Sequence, residues 1–411
     1  MALKKIFLSV TNWIKKINSI QHKSSETIKI IKDIKKITLI LLSVFLFLIV
    51  WNNRIKLHPD NVILWLKGNW MSFHMGKGFP QKAFGQAVSA ENFNLMGKNP
   101  VALSDTGFTV FNNSGYLIRN EKHSFSNPLL KIGGIHAIIY DVGGKKYKIE
   151  SIAESIYTSE TDNNIISCSI SENGKYGIVT ESQNYLSELK VYDSKNSEKY
   201  RYYFSEHYIC DFELNSAGDQ GIASGINTEE GNINSYLYVL NFKFQEPQNK
   251  FKLENNLVTK VKYFSNGNIL AIGDNYLSVI NPASGSVKNF SFDEKLLKFY
   301  DFRKDRGICC CLSPSENKSC DDEIVVVDML GKEIVSVSTN ENLNSIAYSG
   351  KRIIASSKNK LYAYNYEGKP EGYIDNQPYF KKIIMNSGSY VYAIKSNEIY
   401  KVKINNLKKI S

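Results

Sequence analysis

Residues Tyr140–Ile149 read YDVGGKKYKI, and the fold turns on how the glycine pair is interpreted. Two glycines followed by two lysines suggest a loop that cradles phosphate. Such a loop requires G-x-x-x-x-G-K-[ST] between a strand and a helix. Here Ile139 stands where the first glycine is needed, Lys146 replaces the Ser or Thr, and the continuation YKIES has a strand pattern. A Gly-Gly pair between two alternating apolar runs is instead a tight hairpin signal, because those turns need positive φ. The stretch reads as two strands and their turn. The chain reads as a sheet protein rather than a nucleotide enzyme.

Working outward, the hairpin belongs to a group of four runs, LLKIGG, HAIIYD, KYKIES and SIYTSE. The next group is NIISCSIS, YGIVTES, ELKVYDS and KYRYYFSE. Groups of this kind start near residues 93, 129, 164, 207, 257, 297, 343 and 380. Each run is short, apolar and bounded by Gly, Asn, Asp or Ser. Four strands per period of about 35–50 residues is the pattern of propeller blades. The period is too short for one Ig-like sandwich per repeat. The expected fold class is therefore all-β, an eight-bladed β-propeller over residues 82–408, with seven blades as the alternative because the end groups are weakest. The last group, KKIIMNS, YVYAIKS and EIYKVKI, has only three strands. A strand from KAFGQAVSAE, Lys82–Glu91, is expected to close it and remove the exposed edge.

The N-terminal part is different. The chain of 411 residues carries a net charge of +11, and nine of its lysines precede residue 37 against Glu26 and Asp33. The basic signal thus belongs to the N-terminus, which argues against a nucleic-acid footprint on the body. Ile37–Trp51 reads ITLILLSVFLFLIVW, without a charge. With snorkelling lysines before it and Asn52-Asn53 after it, the run approaches the ~20 residues of a spanning helix. No small-residue cleavage site follows, so a membrane anchor over 35–53 is expected rather than a signal peptide. The lysine bias places residues 1–34 in the cytoplasm and the propeller outside, as a single-pass plasma-membrane protein. Residues 2–20 have the spacing of an amphipathic helix, suited to anionic lipid or to a partner protein. Residues 54–81 form a juxtamembrane helix and linker, with Asp60 as expected N-cap, DNVILWLKGNW as the helix, and Gly76, Gly78 and Pro80 ending it.

Chemistry-bearing patterns are sparse. The six Cys lie at 168, 210, 309, 310, 311 and 320, without C-x-x-C spacing. In the strand GICCCLS, Cys310 faces opposite to Cys309 and Cys311. A bond from Cys311, or Cys309, to Cys320 would suit an extracellular domain, and buried free thiols are the other reading. The six His are scattered, and CDDE at 320–323 lacks the D-x-[DN]-x-[DN]-G calcium pattern. No cofactor or metal ligand set is expected. All four Trp precede residue 71, so the propeller has none for cofactor or sugar stacking. Loops between blades supply the candidate channel-mouth residues, Asn127 in SFSNP and Asp162, Asn163 and Asn164 in TDNN. Local turn capping is the competing role for these side chains.

Several stretches carry a resemblance to a known family. They are the anchor, GKGFPQ at Gly76–Gln81, SNPLLKIGG leading to IIYDVGGKKYKI, and TDNNIISCSIS leading to IVTESQNYLSELKVYD. In these the chain resembles single-span membrane proteins of Gram-positive anaerobes that carry a domain of unknown function. The remainder resembles quinoprotein-like or WD40-like propellers. The resemblance implies fold and topology and no activity. The expected function is a non-catalytic scaffold at the cell envelope. Its expected partners are membrane lipid, through the N-terminal helix, and an envelope protein or peptide, with no nucleic acid. The alternatives are an extracytoplasmic hydrolase or lyase at the channel mouth, and an envelope sensor.

Overall fold

The computed structural model describes residues 25–52, 59–315, 322–375, 377–405 and 407–409. The expected amphipathic segment of residues 2–20 and Cys320 lie outside the described residues. The chain divides into two compact units, Met1–Leu57 and His58–Ser411.

In the first unit a single helix, α1, covers Ser25–Asn52 and contains the apolar run. Its described apolar side chains from Ile37 to Leu48 are exposed. Among the described residues no helix is long and apolar enough to cross a membrane.

The second unit opens with helix α2, Pro59–Ser72. Proline at the first helical position loses nothing, since its missing N–H would be unpaired there anyway. The rest of the unit is eight four-stranded antiparallel sheets. Blades one to seven span 88–122, 128–160, 165–204, 208–253, 260–291, 296–338 and 345–374. The eighth combines 382–403 with Gln81–Lys82, which pairs on its outer strand as Gln81↔Ile399 and Lys82↔Glu398. The fold is thus the eight-bladed form.

The closing strand is shorter than expected. Only Gln81–Lys82 adds to the last blade, whereas Val88–Met96 is already the first strand of blade one. The chain must leave the outer edge of one blade and reach the channel wall of the next, and residues 83–87 make that crossing. Two backbone bonds continue the tie, Ala83 N–H to Asn397 O at 2.8 Å and Val88 N–H to Ser396 O at 3.0 Å.

The core is a ring of eight apolar clusters, one at each seam between blades. Alternate residues of one strand enter different seams. Cys310 packs between blades five and six, Cys309 and Cys311 between six and seven. Both faces of a blade are therefore buried, which is why its middle strands read as continuous apolar runs such as GICCCLS and IVVVD.

The VGG turn joins His136–Asp141 to Lys146–Ser151, with Gly143 at φ +75°. It also bonds its neighbours, Val142 N–H to Asn127 O at 3.0 Å and Gly143 N–H to Ile165 O at 2.9 Å. The opening hairpin therefore stitches blade two to the connections on both sides.

Candidate functional site

The first strand of each blade lines the channel. Its inner edge has no strand to pair with, so its backbone N–H groups need other acceptors. Side chains on the preceding blade's first strand supply many of them. Asn92 Oδ1 accepts Leu130 N–H at 3.0 Å, and Ser169 Oγ accepts Leu214 N–H at 2.9 Å. Asp211 Oδ2 accepts Val261 N–H at 3.1 Å. Asp301 Oδ2 accepts Tyr348 N–H at 2.7 Å, and Ser345 Oγ accepts Ile383 N–H at 3.1 Å. Every one of these bonds runs from one blade to the next in chain order.

Charged side chains fill the space inside this wall. Lys131 of blade two reaches over the small Ser167 and Ser169 of blade three to Asp211 of blade four, with Nζ 3.0 Å from Oδ1 and 3.5 Å from Glu213 Oε2. Lys262 of blade five holds the other oxygen of Glu213 at 3.0 Å. Ser167 Oγ–H donates to Asp211 Oδ1 at 3.1 Å. Burial opposes charge on Asp211, but Lys131, Lys260 and Lys262 outweigh it and hold its carboxyl below the ordinary range. Burial likewise opposes charge on Lys131, and Asp211 and Glu213 outweigh it, holding the ammonium well above its usual pKa. Across the channel, burial lowers the pKa of Lys382, whose Nζ lies 3.4 Å from Tyr300 O.

A general acid or base works best with a pKa near the operating pH. The Lys131–Asp211 pair is driven the other way, each member fixed in its charged form. Among the described residues there is no group of three or more His, Cys, Asp or Glu placed to hold a metal ion. Cys311 is a buried thiol pushed up by burial and then by Asp322.

The loop residues singled out in the sequence are held locally. Asp141 Oδ1 accepts the backbone N–H of Asn127 at 2.6 Å. Asn164 Nδ2 donates to Glu181 at 2.9 Å, and the Asn163 carbonyl accepts Thr161 Oγ–H at 2.7 Å. Asp162 is 93 % exposed and 3.8 Å from Lys190. Asp162 and Asn163 line a cavity of about 70 Å³ between blades two and three, with Tyr147, Glu188 and Tyr192.

A larger groove, about 600 Å³, opens at the seam of blades one and two. Lys122, His123, Ser124 and Phe125 form one wall; Lys146, Lys148, Thr158, Ser159 and Glu160 form the other. Lys146 and Lys148 are two apart on one strand and so share a face, opposite Glu160 and Thr158 in register. Lys148 is steadied by the Lys122 carbonyl at 3.0 Å, and Lys146 lies 3.9 Å from Glu160. Two ammonium groups, those of Lys146 and Lys148, thus face one carboxylate, while the Lys122 ammonium lies over the Phe84 ring at 5.4 Å. Sequence reasoning reached Ser124 and Phe125 as part of a loop and missed the lysines. It also missed the channel network, whose only signal was charge inside first strands, as in CDFEL and KVKY.

The family of unknown function DUF5711 matches residues 81–404 of this sequence. No curated protein matches it. Among solved structures the C-terminal WD40 domain of Sif2 is similar at TM-score 0.56 and 10 % identity, covering 80 % of this chain and 100 % of that one. The Kuenenia stuttgartiensis hydrazine synthase aligns at TM-score 0.46 and 11 % identity, covering 67 % of this chain and 95 % of that one. The first of these likenesses supports a WD40-like propeller fold.

Proposed function

The protein belongs to the DUF5711 family of unknown function, and we propose that it is a non-catalytic binding module, tethered to the plasma membrane, whose propeller lies outside the cell and captures an acidic envelope protein or peptide. The groove between blades one and two carries this reading. It is the larger of the two cavities, and Lys146 and Lys148 outnumber Glu160 in its walls. Lysines are point charges on flexible stems, suited to an acidic partner whose carboxylates vary in position. The filled, ion-paired channel supports a structural role for the channel, and it weighs against a hydrolase or lyase site there. The tether rests on the charge-free run Ile37–Trp51 and the lysines ahead of it.

The test uses the full-length chain in lipid nanodiscs and a fluorescent Glu-rich peptide. Binding is expected to weaken at least tenfold in Lys146→Glu/Lys148→Glu and to fall steeply between 50 and 200 mM salt, values chosen to straddle a Debye length of roughly 10 Å. Absence of binding by the unaltered chain, or equal binding by the double variant, would refute the proposal.

A further inference from the structure

Helix α2 has two faces with opposite surroundings. On one, Gly68 is buried against Ile152, and Met71 packs on the core cluster of blades one and two. Lys67 pairs with Glu154 at 2.9 Å, and Asn112 Nδ2 donates to the carbonyls of Ser72 at 3.1 Å and His74 at 2.7 Å. His74 stacks on Tyr116 at 4.9 Å. Residues 112–116 and 152–154 connect the third and fourth strands of their blades, so the helix is fixed to one rim of the propeller. On the other face, Ile63, Leu66 and Trp70 stand at helical spacing, continued by Phe73 and Met75, all between 55 % and 92 % exposed.

We infer that this stripe is a lipid-contacting face, which lays the rim of blades one and two against the outer leaflet. Two observations select lipid over another protein. First, only residues 53–58 separate α1 from α2, and seven extended steps reach at most about 25 Å. A bilayer that holds the apolar run of α1 is therefore within reach of α2. Second, the linking sequence carries Arg54, Lys56 and His58 and the stripe carries Trp70, the residue types that favour headgroups and the membrane interface. Third-to-fourth-strand connections face the membrane in this arrangement. The blade-to-blade connections, including Ser124 and Phe125 of the basic groove, lie at the opposite ends of the strands and face away. The inference rests on the tether reading of α1.

Depth-dependent fluorescence quenching by spin-labelled lipid separates the two. An environment-sensitive fluorophore is placed at Leu66→Cys, Phe73→Cys, Leu42→Cys or Thr158→Cys of the full chain in liposomes, with the unaltered chain as background. Labels at 66, 73 and 42 are expected to quench at least threefold more than the label at 158. Quenching at 42 without quenching at 66 and 73 overturns this inference and leaves the tether standing, and a protein partner then becomes the occupant of the stripe. No quenching at 42 overturns the tether reading and this inference with it.

Discussion

The carboxylate of Asp211 in the fourth blade holds the ammonium of Lys131 in the second at 3.0 Å, across the intervening third blade. The same carboxylate accepts the backbone N–H of Val261 in the fifth. One side chain thus couples blades two, four and five, and through the Ser167 hydroxyl blade three as well, although these blades share no hydrogen-bonded sheet. Asp211→Ala removes all three contacts and leaves a buried ammonium without its nearest partner. Breaking a buried pair from one side costs about 3–5 kcal/mol. Urea unfolding of the variant should show a loss of that order, and a double-mutant cycle with Lys131→Met should show strong coupling. A loss under about 1 kcal/mol would mean that the pair is solvated.

Acid should weaken the propeller in two stages. Burial lowers the pKa of His207, packed 3.8 Å from Tyr236 and near Lys250, and lowers that of His123. A depressed pKa means that the unfolded chain takes up the proton first. This stability is therefore present above the unfolded value of roughly 6.5 and is lost as pH falls below it. Asp211 is depressed for a carboxylate, so its contribution is present above about 3.9 and is lost below that. Melting temperatures from pH 8 to 3 should show both declines. The upper one should shrink in His207→Gln, and an unchanged profile would remove His207 from the account.

Closure of the ring should be sensitive to Asn397. Its side-chain amide donates to Gly85 O at 2.7 Å, and its carbonyl accepts the N–H of Ala83. Asn397→Ala should cost about 1 kcal/mol, the usual net worth of a hydrogen bond. Hydrogen exchange should accelerate in Glu398–Lys403 and leave blade four unchanged. Uniform acceleration around the ring would show that the seam does not open first.

Two glycines of blade two should respond differently to alanine. At Gly143 the added Cβ meets open space, and only the left-handed φ of +75° resists it, so the cost should be near 1–2 kcal/mol. At Gly133 the Cβ would stand 2.4 Å from the carbonyl oxygens of Ile170 and Ser171. Backbone of the next blade would have to move, and the loss should exceed that at Gly143, in the range of about 1–3 kcal/mol for overpacking or above it. Equal melting temperatures for the two variants would contradict the tight seam.

Much of this architecture was legible in the residues. The runs around YDVGGKKYKI, and the starts near 129, 164, 207 and 297, fall within one residue of strands beginning at Pro128, Ile165, Tyr208 and Leu296. A strand buried on both faces needs an apolar residue at nearly every position, and its ends need turn formers, so the pattern survives without any knowledge of neighbours. The closing strand was harder. Two residues, Gln81 and Lys82, carry no periodicity, and their partners lie more than 300 positions away. The candidate sites were harder still. Lys131, Lys148 and Lys262 are all lysines in strands, yet one is buried in the channel, one lines an open groove and one holds Glu213.

By itself the sequence determined the strand content, the repeat and the separation of a basic, apolar N-terminus from a β-rich body, because these depend on local periodicity and composition. Only the tertiary structure decided which charges meet. Lys131 and Asp211 are 80 residues apart, and nothing local distinguishes them from solvated surface charge. Closing the ring of blades brings both into one low-dielectric channel, where each charge requires the other.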